Sequence, residues 1–249
     1  MPKKEELFIV LLGILKNKDD MTRIKIIDNI VIEEGRLRVI DRCGDGKRVF
    51  LRQGNIEGEC AVYSLLMMLM IHKKIYADDL RMDNSRVSAN VKQLRKQFLY
   101  KRRARGYSLE VLQKKLLKVF ANNISVNIYT SNPFKNGHID FNDLYLKIKK
   151  HIDSGWPVQL GFFIPELSEG HSVVVVGYAE YAKFLRLFCL DPSWGMPYSA
   201  FWNNIIDVNF DKSGEASIDY EHMSERYILV TEILLIDEEL DIVDSPLPF

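Results

Sequence analysis

Cysteine is scarce in this chain, with only Cys43, Cys60 and Cys189 among 249 residues. Three thiols are too few for the disulfide framework of a small secreted scaffold, and an odd number leaves at least one unpaired. The scarcity points to a reducing compartment, so a cytoplasmic protein is expected, with signal-less secretion as the alternative. The thiols have no C-x-x-C spacing and the five histidines no H-x-H pairing, so the usual ligand patterns of a zinc site are missing. Net charge is missing too: 34 basic side chains balance 34 acidic ones. Nothing in that balance asks for a nucleic acid or a membrane partner. Long apolar runs are also lacking. The segment LFIVLLGIL at 7–15 is too short to span a bilayer. Glu5 and Glu6 precede it and no small-residue cleavage site follows, so it is expected to be a buried helix or strand rather than a signal.

No repeat, low-complexity tract or Pro/Gly-rich linker divides the chain. What is present is 47% hydrophobic and 27% charged, enough apolar material for one substantial core. Charge is uneven along the chain. Residues 92–105 (KQLRKQFLYKRRAR) hold seven basic side chains and no acid, while 236–244 (IDEELDIVD) is acidic. Both read first as solvated faces.

Residues 27–53 carry short β-branched runs broken at EEG and GDG, which predicts small strands and hairpins. CAVYSLLMMLMIHKK at 60–74 is apolar nearly all round, the mark of a buried central helix. A helical pattern runs from Asp78 to Phe120, with Ser108 as an N-cap before a Leu109, Leu112, Leu116, Leu117 stripe. Beyond it come a strand (ISVNIYT), a helix stopped at Gly155 (DFNDLYLKIKKHIDSG), and three more strands, WPVQLGFFI, SVVVVGY and FLRLFCL. Helices first and strands later predict an α+β domain. Its parts are an N-terminal extension or cap (1–52), a helical lobe with the cysteine on a central helix (53–123), and an antiparallel β-rich lobe (124–249).

Three polar residues stand at the ends of apolar elements. Cys60 opens the apolar helix, where the macrodipole and orphan N–H groups favour a thiolate. His171 stands at the entry of SVVVVGY, and Asp191 at the exit of FLRLFCL. A hairpin centred on Tyr181 would set His171 opposite Asp191, with Cβ atoms roughly 5 Å apart. A carboxylate there would fix the imidazole tautomer and stabilise its charged form. The N–H of Cys60 and the Gln53 amide are candidate donors to an oxyanion. Alone, each residue also fits a structural role: a small core thiol, an edge histidine, an Asp-Pro turn.

Together these segments resemble the papain-like cysteine peptidase superfamily, most closely its bacterial branch related to the double-glycine leader peptidases that process bacteriocin precursors. The resemblance spans about Gln53 to Ile206 and rests on WPVQLGFF, GHSVVVVGY and LDPSWG, with a glutamine shortly before a cysteine that opens a helix. It implies a papain-like fold with Cys60 as nucleophile, His171 as base, Asp191 as orienter and Gln53 as oxyanion donor. Ala61 stands where the family usually has glycine, and Gln53 precedes Cys60 by one residue more than usual, which makes Asn55 a second oxyanion candidate. Gly170, Trp156 and Trp194 adjoin these motifs and are expected to wall the cleft, with core packing an equal alternative for the two tryptophans. The implied activity is cleavage of a peptide or isopeptide bond in a protein or peptide substrate, with no cofactor and no metal. Glutamine deamidation or transglutamination by the same triad is the alternative, and a catalytically inactive peptide-binding domain is a third reading.

Overall fold

The structure is a computed structural model that describes residues 21–41, 43–53, 59–100, 106–121, 124–209, 215–220 and 224–237. The 7–15 segment and Asn55 lie outside the described residues, as do 101–105 of the basic run and most of the acidic stretch.

The fold is α+β. The N-terminal strands are β1 (Met21–Ile26), β2 (Ile30–Glu33), β3 (Arg36–Ile40) and β4 (Gly46–Arg48). The helices are α1 (Cys60–Ile71), α2 (Ala89–Leu94, prolonged by a π-helical turn Arg95–Leu99), α3 (Leu109–Phe120) and α4 (Phe141–Asp153). Strand β5 (Ser125–Thr130) precedes α4. After it come β6 (Val158–Ile164), β7 (Glu169–Tyr181), β8 (Phe184–Leu190), β9 (Asn204–Asn209), β10 (Glu215–Tyr220) and β11 (Ser224–Asp237).

Strands β6 to β11 close into a six-stranded antiparallel barrel in the order β7-β6-β11-β10-β9-β8, sealed by β8 against β7. The two longest strands outrun their barrel partners and recruit others. Strand β7 leaves β6 after Val175 and takes β1 from Gly177 onward. Strand β11 leaves β10 at Leu229 and takes β5 from Glu232 onward. Val173, Val174, Val175 and Val176 are fully buried. Alternate side chains on a strand point to opposite faces, so both faces of β7 are covered, one by the barrel interior and the other by helices. Helix α1 is buried on every side except at Tyr63, which explains why its apolar residues wrap all the way round.

The described residues form two main cores. One fills the barrel, and the other joins α1, α2 and α3 to Val126, Leu234 and Ile236 of β5 and β11. The small β2-β3-β4 sheet packs against the barrel. Its Ile30, Leu37 and Val39 belong to the barrel core together with Ile27, Val49 and Phe50. It also docks on the β8–β9 loop, where the Ser199 N–H donates to the Gly35 carbonyl at 2.9 Å. Gly35 has φ +71°, and the Tyr198 ring occupies the space a side chain would need.

Several elements fall where the sequence places them. β5, β6 and β8 match their predicted runs, and Gly155 (φ +88°) ends α4 with Gly155 and Trp156 N–H groups on the Ile152 and His151 carbonyls. That is the expected use of a left-handed glycine past a helix end. The stretch 81–88 is not helical, so the continuous helical pattern from Asp78 breaks into a short 3-10 turn and α2.

Candidate active site

Cys60 is the first residue of α1, and this helix lies across β7 and β6. A side-chain network fixes the crossing. Gln159 of β6, fully buried, donates from Nε2 to the Ala61 carbonyl at 2.9 Å and to Ser172 Oγ at 3.0 Å. Ser64 Oγ donates to the Ser172 carbonyl at 2.9 Å. These bonds tie the first turn of α1 to the strand residue next to His171. A buried amide that bridges helix and strand holds the thiol and imidazole to one separation.

His171 and Asp191 meet by a route the simple hairpin does not anticipate. The register is Glu180↔Leu185 and Tyr178↔Leu187, then shifts by one residue to Val175↔Cys189 and Val174↔Leu190. Asp191 therefore continues opposite Val173, and His171 reaches it diagonally rather than directly. The shift is a β-bulge between Val175 and Gly177, with the Val176 carbonyl satisfied by the Ile27 N–H at 3.0 Å. Without it, Asp191 would fall opposite Val174 and point to the other face, because a one-residue slip reverses every side chain. With it, His171 Nε2 lies 2.9 Å from Asp191 Oδ1.

Asp191 is fully buried and held from every side. Its Oδ1 also accepts the Ser193 N–H, and Oδ2 accepts Asn204 Nδ2, both at 2.9 Å. Asn203 brackets its backbone, accepting the Asp191 N–H at 2.7 Å and donating to the Asp191 carbonyl at 2.8 Å. Burial alone would push this carboxyl up, but the His171 charge and these hydrogen bonds hold it below the usual carboxylate range. For His171, burial opposes a positive charge. The Asp191 carboxylate and then the Cys60 sulfur, each by charge and hydrogen bond, overcome it and raise the imidazole well above its usual range. Since the carboxylate takes Nε2, Nδ1 is the nitrogen left for the thiol.

The thiol and imidazole open on one cavity of about 320 Å³. Gly161, Phe162, Phe163 and Gly170 wall it on the barrel side, Tyr107, Ser108 and Leu109 on the helical side, and Thr231 and Glu232 complete it. The other thiols have no such setting. Cys189 is fully buried, and burial followed by the nearby Asp191 charge pushes its thiol up. Cys43 is exposed on the β3–β4 loop, away from these elements.

Of the remaining sequence candidates, Gly170 lines the cavity and three others do not. Gln53 serves the Asp191 loop: its N–H donates to the Pro192 carbonyl at 2.8 Å and its Nε2 to Ser193 Oγ at 2.9 Å. Trp156 follows the Gly155 turn and stacks on His72, ring centroids 4.5 Å apart, at the far end of α1. Twelve residues of helix, about 18 Å, separate it from Cys60. Trp194 lies on the β8–β9 loop behind Asp191, with its N–H on the Asp191 carbonyl at 3.3 Å. Gln159, Ser172, Asn203, Asn204 and Glu232 escaped the sequence reading. Only Gln159 gave a local signal, as a polar residue inside an apolar strand; the others act through contacts between distant segments.

Among the described residues no group of three His, Cys, Asp or Glu side chains is placed to hold a metal ion, and no helix is long and apolar enough to cross a membrane. No protein-family model matches the chain, and no curated protein matches it.

Proposed function

We propose that the chain is a thiol hydrolase of the papain-like kind that cleaves a peptide or isopeptide bond through a Cys60 thioester. One observation carries the reading. Three segments remote in sequence bring a thiol at a helix start, an imidazole and a fully buried carboxylate into one array at the wall of a cavity. A charged imidazole maintained by a buried carboxylate is the partner a nucleophilic sulfur needs.

In the proposed reaction Cys60 Sγ attacks the substrate carbonyl carbon while its proton resides on His171. The tetrahedral oxyanion is met by N–H groups of the first turn of α1, where a helix leaves its leading N–H groups without partners inside the helix. Collapse breaks the carbon–nitrogen bond, and His171 gives its proton to the departing amine. Water then adds to the thioester and His171 accepts its proton. The carboxylic acid leaves, and Cys60 and His171 regain their starting state. Asp191 holds the ring orientation and the Nε2 proton throughout. Gln53 supports the Asp191 loop in this scheme rather than the oxyanion.

The test is alkylation by iodoacetamide, followed at Cys60 by mass spectrometry across pH. The expected result is selective labelling of Cys60 at mildly acidic pH that is lost in His171→Ala. Labelling that rises only near about 8.5, as for a free thiol, and ignores the His171 substitution would sink the proposal. Substrates follow from a capture experiment with Cys60→Ala, comparing captured proteins after treatment with the wild-type enzyme. New chain ends support cleavage, while an intact chain heavier by about one dalton assigns the same thioester chemistry to glutamine deamidation.

A further inference from the structure

We infer that Glu232 makes this cleft selective for substrates that present a lysine or arginine side chain, a conclusion that rests on the proposed thiol hydrolase. Among the described residues, Glu232 is the sole carboxylate that lines the cavity holding Cys60 and His171, and no described lysine or arginine lines it. The placement is built into β11. A bulge between Val230 and Glu232 leaves Thr231 as the extra residue and sets Glu232 opposite Gly161 of β6. Bulges redirect side chains in this way. Gly161 makes room: a methyl group there would lie 3.1 Å from Glu232 Cγ.

The side chain is only 14% exposed, and its contacts among the described residues are long. Oε1 accepts the Leu109 N–H, at the start of α3, at 3.3 Å. Oε2 stands 3.8 Å from Lys135 Nζ, which lies closer to Glu110, at 3.3 Å. A carboxylate offers about four acceptor positions, so a charged, poorly solvated group keeps capacity toward the cavity. The walls suit the rest of a long cationic side chain. Phe162, Phe163, Tyr107 and Leu109 present apolar surface that covers methylene groups while the head meets the acid. At about 320 Å³ the cavity is at the small end for a ligand site, which fits one or two side chains of an extended peptide.

The experiment uses the full chain and tripeptidyl acyloxymethyl ketones built on alanine, with lysine, norleucine or glutamate placed in turn at each residue. Rates of Cys60 alkylation are normalised to each protein's own iodoacetamide rate. The expected result is one position where lysine reacts roughly 10-fold or more faster than norleucine and glutamate slowest. Glu232→Gln keeps an acceptor for the Leu109 N–H and should bring lysine and norleucine to near equality; Glu232→Lys should favour glutamate. Equal rates for the three probes at every position in the wild type, or a lysine preference that survives Glu232→Gln, overturns the inference. The wild-type comparison decides the matter even if a variant fails to fold. Absence of iodoacetamide labelling at Cys60 would instead strike the hydrolase proposal itself, so the two failures are distinguishable.

Discussion

Replacing Asp191 by asparagine tests the core of the site, because the substitution preserves shape and removes charge. Asp191 accepts three hydrogen bonds, from His171 Nε2, Ser193 N and Asn204 Nδ2, and donates none from its side chain. An asparagine must aim its Nδ2 at one of these donors. Rotating Asn204 gives no relief, since its Oδ1 already accepts the Ile205 N–H at 2.8 Å. Removing one member of a buried charge pair commonly costs about 3–5 kcal/mol. For a chain of this size that is a fall in Tm of roughly 10 °C. The sign with pH follows from the two shifts. The raised His171 contributes stability fully present below 6.5 and lost as pH rises through its raised value. The lowered Asp191 contributes stability present above 3.8 and lost as pH falls through its lowered value. The deficit of Asp191→Asn relative to wild type should therefore be largest between these two reference values and shrink in alkali. With the carboxylate gone, burial favours the neutral ring and only the Cys60 sulfur still opposes it, so iodoacetamide labelling of Cys60 at mildly acidic pH should fall sharply. Turnover should fall on the order of 10³–10⁴-fold, as expected when an imidazole loses its orienting carboxylate. Denaturant titration at several pH values and labelling kinetics measure both effects. A variant within ten-fold of wild type at pH 6, with an unchanged labelling profile, would refute the role given to Asp191.

Three further outcomes are expected. Gln159→Leu loses two hydrogen bonds of about 1 kcal/mol each but also removes Oε1, a buried oxygen without a partner among the described residues. Stability should thus change by only about 1 kcal/mol in denaturant titration, while Cys60 labelling at acidic pH falls because the thiol–imidazole separation is no longer fixed. Gly177→Ala would put a methyl group 2.6 Å from the Lys25 carbonyl oxygen, forcing β1 off β7 beside the bulge; a loss of about 1–3 kcal/mol is expected by thermal melting. Burial of His151 lowers its pKa from 6.5 to about 4, so the unfolded chain takes up a proton that the native protein refuses across that window. Stability should fall by up to about 3 kcal/mol on acidification through it, and His151→Leu should flatten that slope in urea titrations at stepped pH.

How much of this was legible in the chain depends on how local the cause is. The apolar belt of 60–71, the β-branched run at 173–176 and the glycine after α4 specify their elements through neighbours a few residues away, and those elements stand where expected. The residues of the site were legible for the same reason: Cys60, His171 and Asp191 each sit where an apolar run begins or ends. Their assembly was not. A hairpin centred on Tyr181 sets His171 straight across from Asp191, whereas the chain turns at Ala182 and Lys183 and uses an extra residue at Val176 and a diagonal reach. No local pattern announces that residue, because Val176 looks like its three valine neighbours; the Ile27 N–H, from a segment far away, satisfies its carbonyl.

Gln53 shows the same limit from the other direction. The resemblance implied an oxyanion donor from a glutamine shortly before the helix-opening Cys60; the structure places this segment against Pro192 and Ser193, remote in sequence and adjacent in space. The sequence by itself determined the elements, the thiol at a helix start and the chemistry available at strand ends, since periodicity and end signals act within a turn or a few residues. Only the tertiary structure decided the barrel closure, the register that turns Asp191 toward His171, the Gln159 bridge under Cys60 and the carboxylate of Glu232 in the cleft. Each depends on a pairing between distant strands, where a slip of one residue reverses the face a side chain presents.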